Sequence, residues 1–281
     1  MKWQGRRKSS NVEDRRGSGG PGKGMIGGGL GLIIVIIITL LGGNPGDLIN
    51  NLPNNEPNSN VPYESTAEEQ ELADFVSVVL ADTEDIWTTV LGEEGIKYVE
   101  PTLVLFSGSV QSACGVAGSS TGPFYCSADQ KLYIDLSFYN ELRDKFKAPG
   151  DFAMAYVVAH EVGHHVQNLL GVIDKVHALQ GTISQEEYNQ YSVRLELQAD
   201  YLAGVWAHHA QGMGYLDKGD IDEALNAAAA IGDDRLQKQA QGYVVPDSFT
   251  HGTSEQRQRW LNKGFQIGNL SQWNTFEAKD L

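Results

Sequence analysis

Residues 24–43 run for 20 positions without a charge, centred on Leu-Ile-Ile-Val-Ile-Ile-Ile-Thr-Leu-Leu at 32–41. At about 1.5 Å per residue, a helix of that length spans roughly the 30 Å hydrocarbon core of a bilayer. A uniform Ile/Val/Leu run between Gly-rich flanks is not the pattern of a soluble core helix or strand. A cleavable signal peptide fits less well than an anchor, because the basic region before it is long and no small-x-small cleavage site follows. The run therefore predicts one transmembrane helix at 25–43. Residues 1–29 carry seven Lys or Arg against two acids, which places that end in the cytoplasm by the positive-inside rule. On this reading residues 1–24 are a basic cytoplasmic tail, and everything after residue 43 lies outside the cytoplasmic membrane.

Residues 44–64 are rich in Asn and Pro and show no amphipathic period, so they read as a flexible linker. The remainder, 65–281, is long enough for one large domain. Residues 64–281 hold 14 bases against 32 acids, and the whole chain has a net charge of −15. That balance argues against a nucleic-acid partner, which requires basic surface to neutralise phosphate. There are two cysteines, Cys114 and Cys126, too few for a four-cysteine zinc site. In a cytoplasmic protein they would be free thiols; the oxidising compartment implied by the anchor favours a disulfide between them.

Thr66 and Glu69 form a capping box ahead of a helical run of Leu72, Phe75, Val76, Val79 and Leu80. A strand is expected at 102–106, then a turn-rich cysteine loop. Leu132, Ile134 and Leu136 next alternate with Tyr133 and Asp135 at the period of a half-buried strand. Pro149-Gly150-Asp151 starts a helix with Asp151 as N-cap, and Gly171 stops it. Ser184 and Glu187 cap a long helix over 186–210, and further helices are expected near 220–230 and 253–265. Many helices and few strands predict an α+β fold, mainly helical with a small antiparallel or mixed sheet.

The helix starting at Asp151 carries His160-Glu161-x-x-His164. Histidines four apart on a helix differ in direction by only about 40°, so His160 and His164 can grip one ion. Glu161 lies about 100° round from His160, near the ion but aimed past it, where a general base would meet a water. His165 projects about 140° away, on the side of Val158 and Val162, and reads as a packed histidine. A catalytic zinc usually has three protein ligands and an open position. Glu196 and Asp200 share a face of the long helix with Ala199, Ala203 and Ala207, small residues that allow a second backbone to approach. Glu196 then completes a His₂Glu set, and Asp200, one turn on, can accept the other ring N–H of a ligand histidine.

His160-Glu161-x-x-His164 followed by Glu196-x-x-x-Asp200 resembles the gluzincin type of zinc peptidase. Gly-Pro-Phe-Tyr-Cys at 122–126, the segments at 150–167 and 194–200, Ile-Gly-Asp-Asp-Arg-Leu-Gln at 231–237 and His-Gly-Thr-Ser-Glu-Gln-Arg at 251–257 resemble the bacterial neutral zinc metallopeptidase family. The resemblance covers roughly residues 65–268 and the N-terminal layout. It implies a zincin-like fold, Zn²⁺ on His160, His164 and Glu196, Glu161 as base and Asp200 as partner of His160. Tyr201 departs from the family pattern, where Cys is common, without touching a proposed ligand. The oxyanion formed in such a reaction needs another donor. His251 is the candidate, in a Gly-containing loop before a helix N-terminus, and a purely structural capping role stays open for it. In zincins generally an edge strand holds the substrate backbone, and the strand at 131–136, directly before the active-site helix, is expected to be that strand.

The leading expectation is a membrane-anchored zinc peptidase acting on peptides or proteins outside the cytoplasm. Two other classes remain: a membrane-tethered interaction protein that keeps zinc as a structural pin, and a zinc amidase acting on cell-wall peptides. An intact Glu161 disfavours the former, because a structural metal needs no base.

Overall fold

The computed structural model describes residues 1–17 and 63–281. The apolar run at 25–43 and most of the linker lie outside the described residues. Among those described, no helix is long and apolar enough to cross a membrane.

The architecture is mainly helical α+β with a small mixed sheet. In chain order the strands are β1 (Val12–Asp14), β2 (Thr102–Phe106), β3 (Ser109–Ser112), β4 (Gly115–Gly118), β5 (Phe124–Cys126) and β6 (Lys131–Asp135). The helices are α1 (Ala67–Glu93), α2 (Phe138–Asp144), α3 (Asp151–Leu169), α4 (Val172–His177), α5 (Gln185–Gly212), α6 (Asp220–Ala230), α7 (Asp233–Gln241) and α8 (Ser254–Ile267). The main sheet runs β1-β2-β6-β5, with β1, β2 and β6 parallel and β5 antiparallel to β6. β3 and β4 form a separate antiparallel hairpin.

Caps read from the sequence recur in three dimensions. Thr66 with Glu69, and Ser184 with Glu187, each make both bonds of a capping box. At α3 the expectation fails: Gly150 is the N-cap, and Asp151 is already helical. Glu223 of α6 accepts from the Phe152 N–H at 3.1 Å, so a free amide of the first turn is met from another helix. Gly150 leaves room for that carboxylate, since a Cβ there would overlap Glu223.

Residues 131–136 were expected to alternate and to form an edge. Instead Leu132, Tyr133, Ile134 and Asp135 are all buried, and β6 has a strand on either side. The helical body covers Leu132 and Ile134, while the β3–β4 hairpin packs Val110 and Ala117 with Tyr133 on the opposite face. Strands buried on both faces do not show a clean alternation. The edge on that side is β5, tied by the Cys114–Cys126 disulfide (Cα–Cα 5.9 Å) to the two-residue turn between hairpin strands β3 and β4. The other edge is β1, so residues 1–16, read as a separate tail, are part of the domain that was expected to start at 65.

Three helices set the site. α3 crosses α5 where Gly163 meets Ala199: a Cβ on Gly163 would stand 3.0 Å from Ala199 O and 3.2 Å from its Cα. On its other side α5 packs backbone to backbone with α8. Gly204 lies against Leu261 O and Gly264 against Tyr201 O, with no room for a side chain at either. The alanine stripe anticipated the first contact; the partner glycines define where each crossing occurs.

Candidate metal centre

His160 and His164 project from one face of α3 toward Glu196 on α5. His160 Nε2 lies 3.2 Å from Glu196 Oε2, and His164 Nε2 lies 3.4 Å from Glu196 Oε1. Ligand atoms of these three residues all fall within 4.8 Å of one another. Two imidazoles and a carboxylate suit Zn²⁺, whose bonds to such atoms are about 2.0–2.2 Å. The three sequence candidates are thus brought together.

Each histidine is held by its other nitrogen. His160 Nδ1 is 2.9 Å from Asp200 Oδ1, the partner expected from the sequence. Asp200 is fully buried and also accepts from the Tyr156 hydroxyl at 2.6 Å and from Arg257 Nε and Nη2 at 2.8 and 3.0 Å. Burial pushes the Asp200 carboxyl up, but Arg257 and His160 outweigh it and bring its pKa from 3.8 down to about 2. His164 Nδ1 is 2.8 Å from Gln167 Oε1, while Gln167 Nε2 donates to Leu195 O at 2.7 Å. That second bond locks the amide orientation, leaving its oxygen for an Nδ1–H of His164. Both histidines therefore leave Nε2 facing Glu196, free of any other partner among the described residues.

Tyr156, Gln167 and Arg257 were not identified as site residues from the sequence. Tyr156 lies four before His160, and Gln167 three after His164, so helical spacing alone pointed to both. Arg257 ends the motif at 251–257 and reaches Asp200 only because α8 lies against α5.

Glu161 is 7% exposed and its carboxylate makes no hydrogen bond within the described residues. Burial raises its pKa, opposed by His160 and His164. It is not one of the converging donors, but it lies near enough to feel the charge of both histidines. His165 is wholly buried, its Nδ1 3.0 Å from Tyr125 Oη and its Nε2 2.6 Å from Val99 O. It is a packed histidine, as read.

His251 lies half exposed on the loop before α8, with Nδ1 3.3 Å from Asp233 Oδ1. The other Asp233 oxygen accepts the backbone N–H groups of Thr250, His251 and Gly252 at 2.8, 2.6 and 3.0 Å, fixing the loop. Burial disfavours the charged ring, but Glu196 and Asp233 prevail and raise its pKa. Asp233 sits in the 231–237 motif and had no role assigned from the sequence.

The chain matches the family model described as "Putative neutral zinc metallopeptidase" over residues 1–276. It belongs to this family. Escherichia coli K12 has a family relative, the uncharacterized protein YpfJ, 53% identical over 285 residues that cover 98% of this chain and 99% of YpfJ. The uncharacterized protein Rv2575 of Mycobacterium tuberculosis H37Rv is 47% identical over 197 residues, 66% of this chain and 65% of that protein. No solved structure matches. Family membership agrees with a zinc ion at a site built from a His-Glu-x-x-His helix. The match also extends across residues 1–16, ahead of the 65–281 domain that composition predicts.

Proposed function

We propose that this protein is a zinc-dependent peptidase in which His160, His164 and Glu196 hold the metal and Glu161 is the general base. The observation that carries the reading is the convergence of those three donors from two helices, with an uncommitted carboxylate beside them. Zinc bound there would polarise a peptide carbonyl and acidify a water molecule. Glu161 would take a proton from the attacking water as its oxygen bonds the carbonyl carbon, and return that proton to the leaving amine as the C–N bond breaks. Asp200, held by Arg257 and Tyr156, fixes the ring of His160, and Gln167 fixes that of His164. His251 offers Nε2 to the oxyanion, its Nδ1 being turned toward Asp233.

The edge strand β5 supports a binding mode in which the substrate backbone adds to the sheet next to α3, with Tyr125 already in contact with that helix through His165. This assigns to β5 the part that β6 cannot take. The uncharged run at 25–43 supports association with a membrane.

The test is hydrolysis of a mixed peptide library by the purified full-length chain, beside its Glu161→Gln form. Removing the base should cut the rate by about 10²–10⁴-fold while zinc stays stoichiometric. A fully zinc-loaded wild-type protein that cleaves nothing, or a Glu161→Gln protein that cleaves as well as wild type, would reject the proposal.

A further inference from the structure

The positive-inside reading puts residues 1–24 and the domain on opposite faces of a membrane, yet residues 1–17 are built into the domain. β1 pairs in parallel with β2, Val12 opposite Leu103 and Asp14 opposite Leu105. The Leu103 N–H donates to Asn11 O and the Arg15 N–H to Leu105 O, both at 2.8 Å. Trp3 packs edge-on against Phe75, ring centroids 5.6 Å apart.

The domain side is equally committed. Asp82 and Glu84 of α1 are 5% and 3% exposed. Asp82 pairs with Arg6. Glu84 accepts from Arg7 at 2.9 Å, from Asn11 at 3.0 Å and from Ser9. Every hydrogen bond of these two carboxylates within the described residues comes from the first 11 residues of the chain. Two acids buried in a domain without counterparts would be strongly destabilising, so their placement presupposes the docked segment.

The chain also leaves and rejoins the domain at one place. Gly17 lies directly against Tyr63, so close that a side chain on Gly17 would overlap it. Arg16 Nη1 donates to Glu69 O at 3.1 Å, next to the start of α1. A single membrane crossing between residues 17 and 63 would instead separate them by roughly the 30 Å hydrocarbon core. Returning through lipid would require the Asn-, Asp- and Glu-containing stretch after residue 43 to cross with unsatisfied polar groups.

We infer that residues 1–17 and the domain formed by residues 63–281 share one compartment, so that no single membrane crossing separates Gly17 from Tyr63. The tail is the edge strand of the peptidase rather than a cytoplasmic extension of it. A cut within the intervening stretch would leave it docked as a separate peptide.

Labelling in cells distinguishes the two arrangements. Ser10→Cys in the tail and Glu93→Cys at the end of α1 replace exposed residues. Each full-length variant is treated with a membrane-impermeant maleimide in intact spheroplasts and normalised to permeabilised ones, with the unsubstituted chain as blank. Equal labelling at both positions, or equal protection at both, is the expected result. Labelling of one with protection of the other would overturn the inference. Independently, hydrogen exchange of the purified full chain should find the Leu103 and Arg15 amides protected like those inside the sheet, and exchange at solvent rates would refute the docking. Neither readout depends on peptidase activity.

Discussion

Gly163 stands between the two histidines of α3, and its replacement by alanine tests how tightly helix spacing sets the metal site. The new Cβ would lie 3.0 Å from Ala199 O and 3.2 Å from Ala199 Cα. Unstrained carbon contacts begin near about 3.5 Å, and the Ala199 Cα would stand at 3.2 Å, so relief needs a movement of about 0.3 Å. Both close atoms are backbone, and no rotamer change can provide it. α5 must therefore shift, taking Glu196, one turn before Ala199, away from histidines that stay on α3. Metal–ligand distances are held within about 0.2 Å, so zinc affinity should fall, by roughly 10-fold or more. Stability without metal moves less. Alanine in place of glycine favours the helix by about 1 kcal/mol, against about 1–3 kcal/mol for overpacking. The net loss is from zero to about 2 kcal/mol, and melting should fall by no more than about 8 °C for a domain of this size. Zinc is measured by competition with a chromophoric chelator, and melting is followed in EDTA. Wild-type zinc affinity together with a raised melting temperature would show that the crossing has slack, and the argument from Gly163 would be wrong.

Gln167→Leu should weaken zinc by about 10–100-fold through a loosened His164 ring, and the same chelator competition would reveal it. Removing Arg257, as Arg257→Ala, leaves a buried Asp200 without its ion pair and should cost about 3–5 kcal/mol in denaturant unfolding. Because the Asp200 pKa is depressed from 3.8 to about 2, its contribution is complete above pH 3.8 and disappears as pH falls through about 2. Acid unfolding of the wild type over that window should be steeper than that of Asp200→Asn. Cys114 and Cys126 should be found joined by mass spectrometry of unreduced peptides, and the Cys114→Ser/Cys126→Ser pair should lose about 3 kcal/mol in unfolding free energy. Recovery of both thiols free from exported protein would remove the bond from the functional state.

Much of the metal centre was legible in the linear chain because its parts are local. His160, Glu161 and His164 lie within two turns of one helix, and Glu196 and Asp200 within two turns of another, so helical period alone assigns each a direction. Capping boxes at Thr66 and Ser184 were equally readable, since all their atoms lie within four residues. Short α2, α4 and α7 were not anticipated, having too few turns to show a period. The depth of β6 could not be read either, because a strand's burial on its second face depends on which hairpin covers it.

Distant pairings account for the rest. Composition separated residues 1–24 from the domain by charge, and nothing local indicated that Val12–Asp14 would add to β2, 90 residues away, or that Asp82 and Glu84 would be buried beneath Arg6 and Arg7. Arg257 reaches Asp200 across 57 positions of sequence, along a crossing that two glycines permit. The amino-acid order determined which side chains could bind a metal, since that depends on residue type and helical spacing. Their immobilisation, and the place of the N-terminal segment in the sheet, were settled by backbone-to-backbone contact between elements, where the presence or absence of a single Cβ decides how near two helices come.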